Sequence, residues 1–194
     1  MAVAPVVLSS PVLLGVADRA AAAAAPDLLP PTPACGDDDD DDPTPPQTEG
    51  PFFKPKSPQR ASLIEKGLGG TRLVVTGSVL TRSCRPVANA LLDFWQADDG
   101  GEYDNQGFRL RGHLFTNERG VYRLETIVPG LYPGRTRHIH VKVQPPNGSI
   151  LTTQLYFPGE ARNASDGIYN PELLMRVADT ANGKEATFNF VVRA

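Results

Sequence analysis

The chain has 194 residues, 40% of them hydrophobic, which is enough for one domain with its own core and some additional length. The formal net charge is only −3, and it would be +3 without the six aspartates at residues 37–42, so neither sign indicates a nucleic-acid partner. Two cysteines exclude a disulfide framework and a cysteine-rich metal site, and leave open one Cys35–Cys84 bridge or two unpaired thiols.

The first 46 residues do not have the pattern of a folded domain. Residues 1–26 are apolar and rich in alanine, with small residues at 23–25, which is typical of a secretory signal and predicts export. Pro5 and Pro11 interrupt this short run, so we predict no membrane span. Residues 27–46 are a linker rich in proline and aspartate, which we predict to be disordered.

From Gln47 to the C-terminus the pattern is that of short strands. The β-branched and aromatic runs are bounded by Gly, Pro, Asn or Asp, and they lie at residues 71–81, 88–97, 120–128, 137–144, 150–157 and 185–192. They predict an all-β, single-domain β-sandwich of mostly antiparallel strands with long loops over residues 47–194. Residues 170–177 predict at most one short helix, with Asn170 as N-cap and Pro171 at its first position.

Two of the three histidines, His138 and His140, lie one residue apart in the predicted strand at 137–144. Alternate side chains project from the same face of a strand, about 6.5 to 7 Å apart along it, so both imidazoles can bind one metal ion. The alternative, which is equally open, is that both histidines are ordinary polar side chains that bind no metal. His113 has no such neighbour, and we interpret it as a structural or surface residue.

Tyr132 lies between two Pro-Gly pairs in the loop that leads to His138. No acidic residue occurs in residues 129–143, so a third ligand of the usual carboxylate type is missing there. A neutral tyrosine is a poor ligand because its unperturbed pKa is near 10. A hard trivalent cation can hold the phenolate, which favours Fe(III) over zinc. A tyrosine that is only packed against the loop remains the alternative.

Five segments, in this order, resemble the intradiol ring-cleavage dioxygenases, the group that contains catechol 1,2-dioxygenase and protocatechuate 3,4-dioxygenase. They are TEGPFF (48–53), LLDFWQADDGGEYD (91–104), TNERGVYRLETIVPGLYP (116–133), RTRHIHVKV (135–143) and TTQLYFPGE (152–160). The resemblance covers about residues 47–194. The compact length and the signal-like start are most similar to the small secreted members.

The resemblance implies a non-haem Fe(III) cofactor with Tyr103, Tyr132, His138 and His140 as its ligands. It implies a catechol and O2 as substrates, and cleavage between the two hydroxylated carbons to a cis,cis-muconate. In the family pattern Tyr132 leaves the metal when the catechol binds. The family arginine falls on Arg135, which stabilises charge that develops on the substrate, and the family glutamine falls on Gln154. Without the resemblance, Arg135 would be interpreted as a cation in a loop near the surface, and Gln154 as a strand residue paired with backbone.

Two other functions compete with the dioxygenase interpretation. The segment ERGVYRLETIVPGLYP is also similar to transthyretin-like β-sandwich modules, which bind rather than catalyse, and fold alone does not decide between them. A zinc hydrolase built on His138 and His140 lacks a third ligand and a general base at a suitable spacing. Tyr132 lies only six positions before His138, a shorter spacing than in the well-known family members, so the sequence predicts no particular ring substituent. It also predicts no oligomeric state.

Overall fold

The structure is a computed structural model that describes residue 1 and residues 42–193. Nine strands form two sheets, which confirms the predicted all-β sandwich. The strands are β1 Arg72–Thr81, β2 Leu91–Trp95, β3 Arg111–Phe115, β4 Val121–Ile127, β5 His138–Gln144, β6 Leu151–Tyr156, β7 Arg176–Thr180, β8 Gly183–Thr187 and β9 Phe190–Val192.

The first sheet has four strands in the order β3-β2-β5-β6, and all its pairs are antiparallel. The second sheet has the order β4-β1-β8-β7, with β9 also beside β1. Its β1–β4 and β7–β8 pairs are antiparallel, whereas β1 pairs in parallel with both β8 and β9. The prediction of mostly antiparallel strands is therefore confirmed, and the exceptions are the two parallel pairs β1–β8 and β1–β9.

The two faces of β5 have different surroundings. Ile139, Val141 and Val143 are fully buried in the hydrophobic core, together with core residues of the second sheet. Because side chains alternate along a strand, His138 and His140 project from the opposite, outer face of the first sheet. Burial of apolar side chains in the core thus fixes the register that places both histidines on one face.

The segment before β1, here called the covering segment, includes Glu49, Gly50 and Phe53 and lies on this outer face of the first sheet. The Phe53 ring packs against Trp95 of β2 with 4.9 Å between the centroids, and the Lys142 ammonium lies 4.6 Å from the Phe53 centroid. Lys142 also forms an ion pair with Glu49. Residues that precede β1 in the chain therefore shield the sheet face that carries the histidines.

Several sequence predictions differ from the structure or lie outside the described residues. The helix predicted at 170–177 is a single 3₁₀ turn, Pro171–Leu173, because residues from Arg176 onward pair with β8; Asn170 does cap this turn, accepting from the Glu172 amide at 3.0 Å. Strands β3 and β7 were not predicted, and the run at 185–192 is two strands.

The remaining differences concern the N-terminal part of the chain. The predicted linker reaches residue 46, yet Thr44 is buried and its amide donates to the Val191 carbonyl at 2.9 Å, so packed chain begins before Gln47. The predicted signal, most of the linker and Cys35 lie outside the described residues, and the Cys35–Cys84 pairing stays a prediction. Over the part of the chain that the structure describes, no helix has the length and apolar character needed to cross a bilayer.

Candidate active site

The candidate site lies at the end of the first sheet where β2 ends, β5 begins and β6 ends. In this register Trp95 of β2 and Gln154 of β6 both pair with His140, and Tyr156 of β6 pairs with His138. Tyr103 lies in the loop between β2 and β3, and Tyr132 in the loop between β4 and β5. Antiparallel pairing therefore brings two histidines and two loop tyrosines to one edge of the sheet.

The four side chains predicted as metal ligands form one cluster. The ring centroids of His138 and His140 are 4.8 Å apart, and the two rings are nearly perpendicular. The Tyr103 centroid lies 6.1 Å from that of His140 and 5.7 Å from that of Tyr132. His113, in contrast, lies on β3 and contacts the Ser57 hydroxyl through Nδ1 at 3.1 Å, outside the cluster.

Hydrogen bonds select one tautomer of His138. Its Nδ1 lies 2.6 Å from the Thr136 carbonyl oxygen, an atom that can only accept, so Nδ1 carries the proton. The lone pair is then on Nε2, which lies 3.1 Å from the Tyr103 hydroxyl and accepts from it. A nitrogen lone pair and a phenol oxygen thus face each other at the centre of the cluster.

His140 is buried against Trp95, whose ring is parallel to the imidazole at a centroid distance of 4.8 Å. Its Nδ1 is buried without a hydrogen-bond partner. Gly50 also lies beside the ring, where an added Cβ would be in van der Waals contact with it, 3.5 Å from Cε1 and 3.8 Å from Nε2. The ring is held by stacking and close packing rather than by polar contacts.

Burial has the largest effect on the pKa values of His138, His140 and Tyr103. It lowers the pKa of His138 to about 4, although the bond to the Thr136 carbonyl opposes this, and it lowers the pKa of His140 well below the usual range. Burial also raises the pKa of Tyr103, against the nearby charges of Arg135 and Arg111. Both imidazoles are therefore neutral at pH 7, as metal ligands must be, whereas Tyr103 needs a strong cation to become a phenolate.

Phe52, from the segment before β1, forms a wall of the cluster. Its ring stacks on Tyr103 with 4.5 Å between centroids and an angle of 17° between planes. It also meets the Tyr132 ring at 5.3 Å in an edge-to-face arrangement. Phe52 thus fixes the relative orientation of the two tyrosine rings and keeps water from that side of Tyr103.

Arg135 and Gln154 are in direct contact beside the histidines. Nη2 of Arg135 donates to Oε1 of Gln154 at 2.7 Å, and Nε donates to Oδ2 of Asp166 at 2.8 Å. The fully buried Gln154 also donates through Nε2 to the Thr48 carbonyl at 2.9 Å. The side-chain amide of Gln154 therefore connects the Arg135 side chain with the backbone of the covering segment.

The donor set suits a hard metal ion. No group of three or more His, Cys, Asp or Glu side chains among the described residues is arranged to share a metal, so a metal here would need the tyrosine oxygens. Two neutral imidazoles with two phenol oxygens fit Fe(III), because a trivalent ion stabilises phenolates. The pair of histidines alone would leave a zinc site two ligands short.

All six residues predicted from the sequence lie at this one end of the sheet, in the cluster of Tyr103, Tyr132, His138 and His140 or in the adjacent Arg135–Gln154 pair. Sequence reasoning missed the stacking partners Phe52 and Trp95 and the carboxylate of Asp166. The motifs that contain Phe52 and Trp95 were recognised, but nothing in a linear pattern shows which ring stacks on which. Asp166 lies in a segment that carries no pattern of its own.

Comparison with known proteins shows which family the chain resembles. A family model described as "Dioxygenase" matches residues 48–194. The chain is similar to the protocatechuate 3,4-dioxygenase beta chain of Burkholderia cepacia, with 38% identity over 52% of this chain and 50% of the relative. It is also similar to a hydroxyquinol 1,2-dioxygenase of a Rhizobium strain, with 31% identity over 72% of this chain and 58% of the relative. The chain thus spans about half the length of these curated relatives.

Solved structures show the same similarity. The dioxygenase domain of a dioxygenase carbohydrate-binding protein fusion from the cellulolytic bacterium Streptomyces sp. SirexAA-E has 57% identity and a TM-score of 0.77, with 79% of this chain and 99% of that chain covered. The 3-chlorocatechol 1,2-dioxygenase of Rhodococcus opacus 1CP has 29% identity and a TM-score of 0.71, with 77% of this chain and 72% of that chain covered.

Proposed function

The chain belongs to the intradiol ring-cleavage dioxygenases, and from this premise we propose that it uses Fe(III) to cleave a catechol with O2 between the two hydroxylated carbons. Both oxygen atoms enter the product, a cis,cis-muconate-type diacid. The observation that carries the proposal is the cluster of Tyr103, Tyr132, His138 and His140, with the His138 Nε2 lone pair directed at the Tyr103 oxygen. A transthyretin-like binding module has no need of this set.

The residues that would hold the metal are the two imidazoles and the two phenol oxygens. When bound, Fe(III) supplies the electron-accepting centre that makes a ring carbon of the catecholate reactive toward O2. Tyr132 lies on a loop and is half-buried, so its oxygen, which a bound Fe(III) would hold as the phenolate, would accept a proton from the incoming catechol. Tyr103, packed between Phe52 and His138, is held more firmly.

Arg135 supplies the positive charge next to the site. Its guanidinium is held by two acceptors, Asp166 and Gln154, and its side chain is 19% exposed. A catecholate gains negative charge as both hydroxyls lose their protons, and a fixed cation in a largely desolvated position stabilises that charge most. Phe52 covers one face of the Tyr103 ring and keeps water from it.

The visible absorption spectrum of the iron-loaded protein, before and after catechol is added without O2, tests this function. We expect a broad tyrosinate-to-Fe(III) band that moves to longer wavelength with catechol, followed on addition of isotopically heavy O2 by a diacid that carries both heavy atoms. His140→Ala should lose most of the iron, whereas the control His113→Ala should keep it. A colourless protein that ignores both iron and catechol would favour the binding module.

Export is part of the same proposal, on the basis of the apolar, alanine-rich residues 1–26. Expression of the full chain and comparison of the culture medium with the cell extract is the test. Accumulation of the intact chain inside the cells alone would contradict export without affecting the proposed chemistry.

A further inference from the structure

Asp166 is a buried carboxylate that the proposed chemistry does not use. It lies in the loop after β6, between the 3₁₀ turns Ala161–Ala164 and Pro171–Leu173, and its side chain is only 3% exposed. A carboxylate so deeply buried costs free energy unless donors surround it. The donors around Asp166 must therefore offset the cost of burying its charge.

Three donors meet this carboxylate. Oδ2 accepts from Arg135 Nε at 2.8 Å and from the Thr136 backbone amide at 2.8 Å, while Oδ1 accepts from the Ile168 amide at 3.1 Å. One oxygen thus holds both the guanidinium and the peptide that follows it. The Ile168 contact closes the loop around its own aspartate and fixes the other oxygen.

The guanidinium is then fixed at two points. Asp166 holds Nε, and Gln154 accepts from Nη2 at 2.7 Å, so the plane of the group is defined on two sides. The Tyr156 hydroxyl lies 3.5 Å from the same Nη2. Without Asp166, Arg135 would keep contacts at its tip only and its long side chain would be free to rotate.

We propose that Asp166 is a positioning residue, which holds the Arg135 guanidinium in the orientation that stabilises negative charge on the substrate. The proposal rests on the proposed function, because the charge in question is that of a bound catecholate. A residue that acts in this way should affect turnover more than substrate affinity, since the charge increases as the reaction proceeds.

The alternative is that Asp166 only ties its loop to the start of β5. The chain offers a matched control for this alternative, because Glu160 of the same loop forms an ion pair with Arg137, Nε to Oε1 at 2.6 Å. That pair joins the same loop to the same start of β5 but does not contact Arg135. A purely structural tie predicts similar effects at both positions.

Asp166→Asn is the test variant. Because Oδ2 accepts from both Arg135 Nε and the Thr136 amide, asparagine can offer these two donors only one uncharged oxygen, and its NH2 cannot accept from the Ile168 amide, so the ion pair that holds the guanidinium is lost. In the iron-loaded protein we expect kcat to fall about tenfold to a hundredfold, with KM for catechol changed by less than about threefold. Iron content and the visible band should stay as in the parent protein. Glu160→Gln should leave kcat within about twofold.

Two further measurements separate positioning from general damage. In the Arg135→Gln background, Asp166→Asn should cause no additional loss, because a residue that acts through Arg135 is non-additive with it. In the metal-free protein, phenylglyoxal should modify Arg135 faster in Asp166→Asn than in the parent, as measured by peptide mass spectrometry with Arg119 as the internal reference.

The outcomes distinguish this proposal from the proposed function. If the parent protein turns over catechol and Asp166→Asn matches it, or if Glu160→Gln is equally damaged, the positioning role is wrong. Full additivity with Arg135→Gln also overturns it. If Asp166→Asn fails to fold, Asp166→Ser, which also lacks the carboxylate, replaces it, and an unchanged kcat there would overturn the role. A parent protein without iron or turnover contradicts the proposed function, whereas unchanged labelling of Arg135 in Asp166→Asn contradicts the positioning role alone.

Discussion

Gly50 lies beside His140 in a backbone conformation that favours glycine. Its φ of +68° is in the left-handed region, and a Cβ there would be in van der Waals contact with the imidazole, 3.5 Å from Cε1 and 3.8 Å from Nε2. We expect Gly50→Ala to be destabilised by about 1 kcal/mol through the backbone and, in addition, to bind iron more weakly, because relaxation of the strained backbone shifts the segment that packs on His140. Iron titration together with urea unfolding measures both effects.

Gly67→Ala is the matched control for this substitution. Gly67 has a φ of +80° and no atom within 4 Å of an added Cβ, so it carries the same backbone cost without a neighbour to crowd. Its stability should fall by a similar amount while iron affinity stays unchanged. Equal iron affinity in the two variants would show that the approach of Gly50 to His140 has no consequence for the metal.

Tyr132 differs from Tyr103 in how firmly it is held. Tyr103 stacks on Phe52 and donates to His138, whereas the Tyr132 ring has only edge contacts to Phe52 and Tyr103. We expect Tyr132→Phe to retain iron through the other three side chains, to change the visible band, and to lower kcat by about a hundredfold because a proton acceptor for the catechol is lost. Absorption and oxygen-uptake measurements test this.

Tyr122→Phe is the control for the loss of a tyrosine hydroxyl. Tyr122 is buried in the core, where its hydroxyl donates to the Phe188 carbonyl at 2.9 Å, far from the cluster in the fold. This variant should lose some stability but keep the colour and kcat of the parent. If Tyr132→Phe keeps both as well, Tyr132 does not belong to the metal site.

At the scale of elements, the segment before β1 connects stability to the site. Phe53 packs against Trp95, and Trp95 in turn stacks on His140. We expect Phe53→Ala to lower the free energy of unfolding by about 2 kcal/mol, less than for a fully buried phenylalanine because Phe53 is only half-buried. The loss of support for Trp95 should also lower iron affinity. Phe115→Ala, with a side chain 46% exposed, should change neither by a measurable amount.

The elements show which parts of the fold a linear pattern can predict. Strands such as β1 and β5 were predicted because their runs of β-branched and aromatic residues, bounded by turn residues, are typical of strands. The strand β7 was not, because its sequence RVADT has the composition of a loop and its strand conformation depends on pairing with β8. The helix predicted at 170–177 is shortened to the turn Pro171–Leu173 for the same reason, since residues from Arg176 onward pair with β8, although Asn170 caps the turn as predicted.

For the molecule as a whole, the candidate site was more predictable than the contacts that support it. His138 and His140 are neighbours in sequence, and the motifs around Tyr103 and Tyr132 resemble those of a known family. In contrast, Phe52 and Asp166 reach the site from segments far away in the chain, and their roles follow from packing between segments. Such contacts have no local signature, because the three-dimensional arrangement of loops creates them.

The buried histidines make the stability of the metal-free protein depend on pH. Burial lowers the pKa of His138 from 6.5 to about 4, so between these two pH values the unfolded chain binds a proton that the folded chain does not. Stability is therefore complete above pH 6.5 and decreases as the pH falls toward 4. At 1.36 kcal/mol per unit, His138 alone accounts for about 3 kcal/mol of this loss, and His140 acts in the same direction.

Urea unfolding of the metal-free protein across this pH range tests the prediction. His138→Gln should reduce the pH dependence by a large part of that amount, because glutamine has no proton to gain. His113→Gln removes the histidine outside the cluster and should keep the dependence of the parent. A parent protein whose unfolding free energy stays constant from pH 6.5 to 4 would show that the imidazole of His138 is accessible to solvent, which is incompatible with the buried cluster on which the proposed metal site depends.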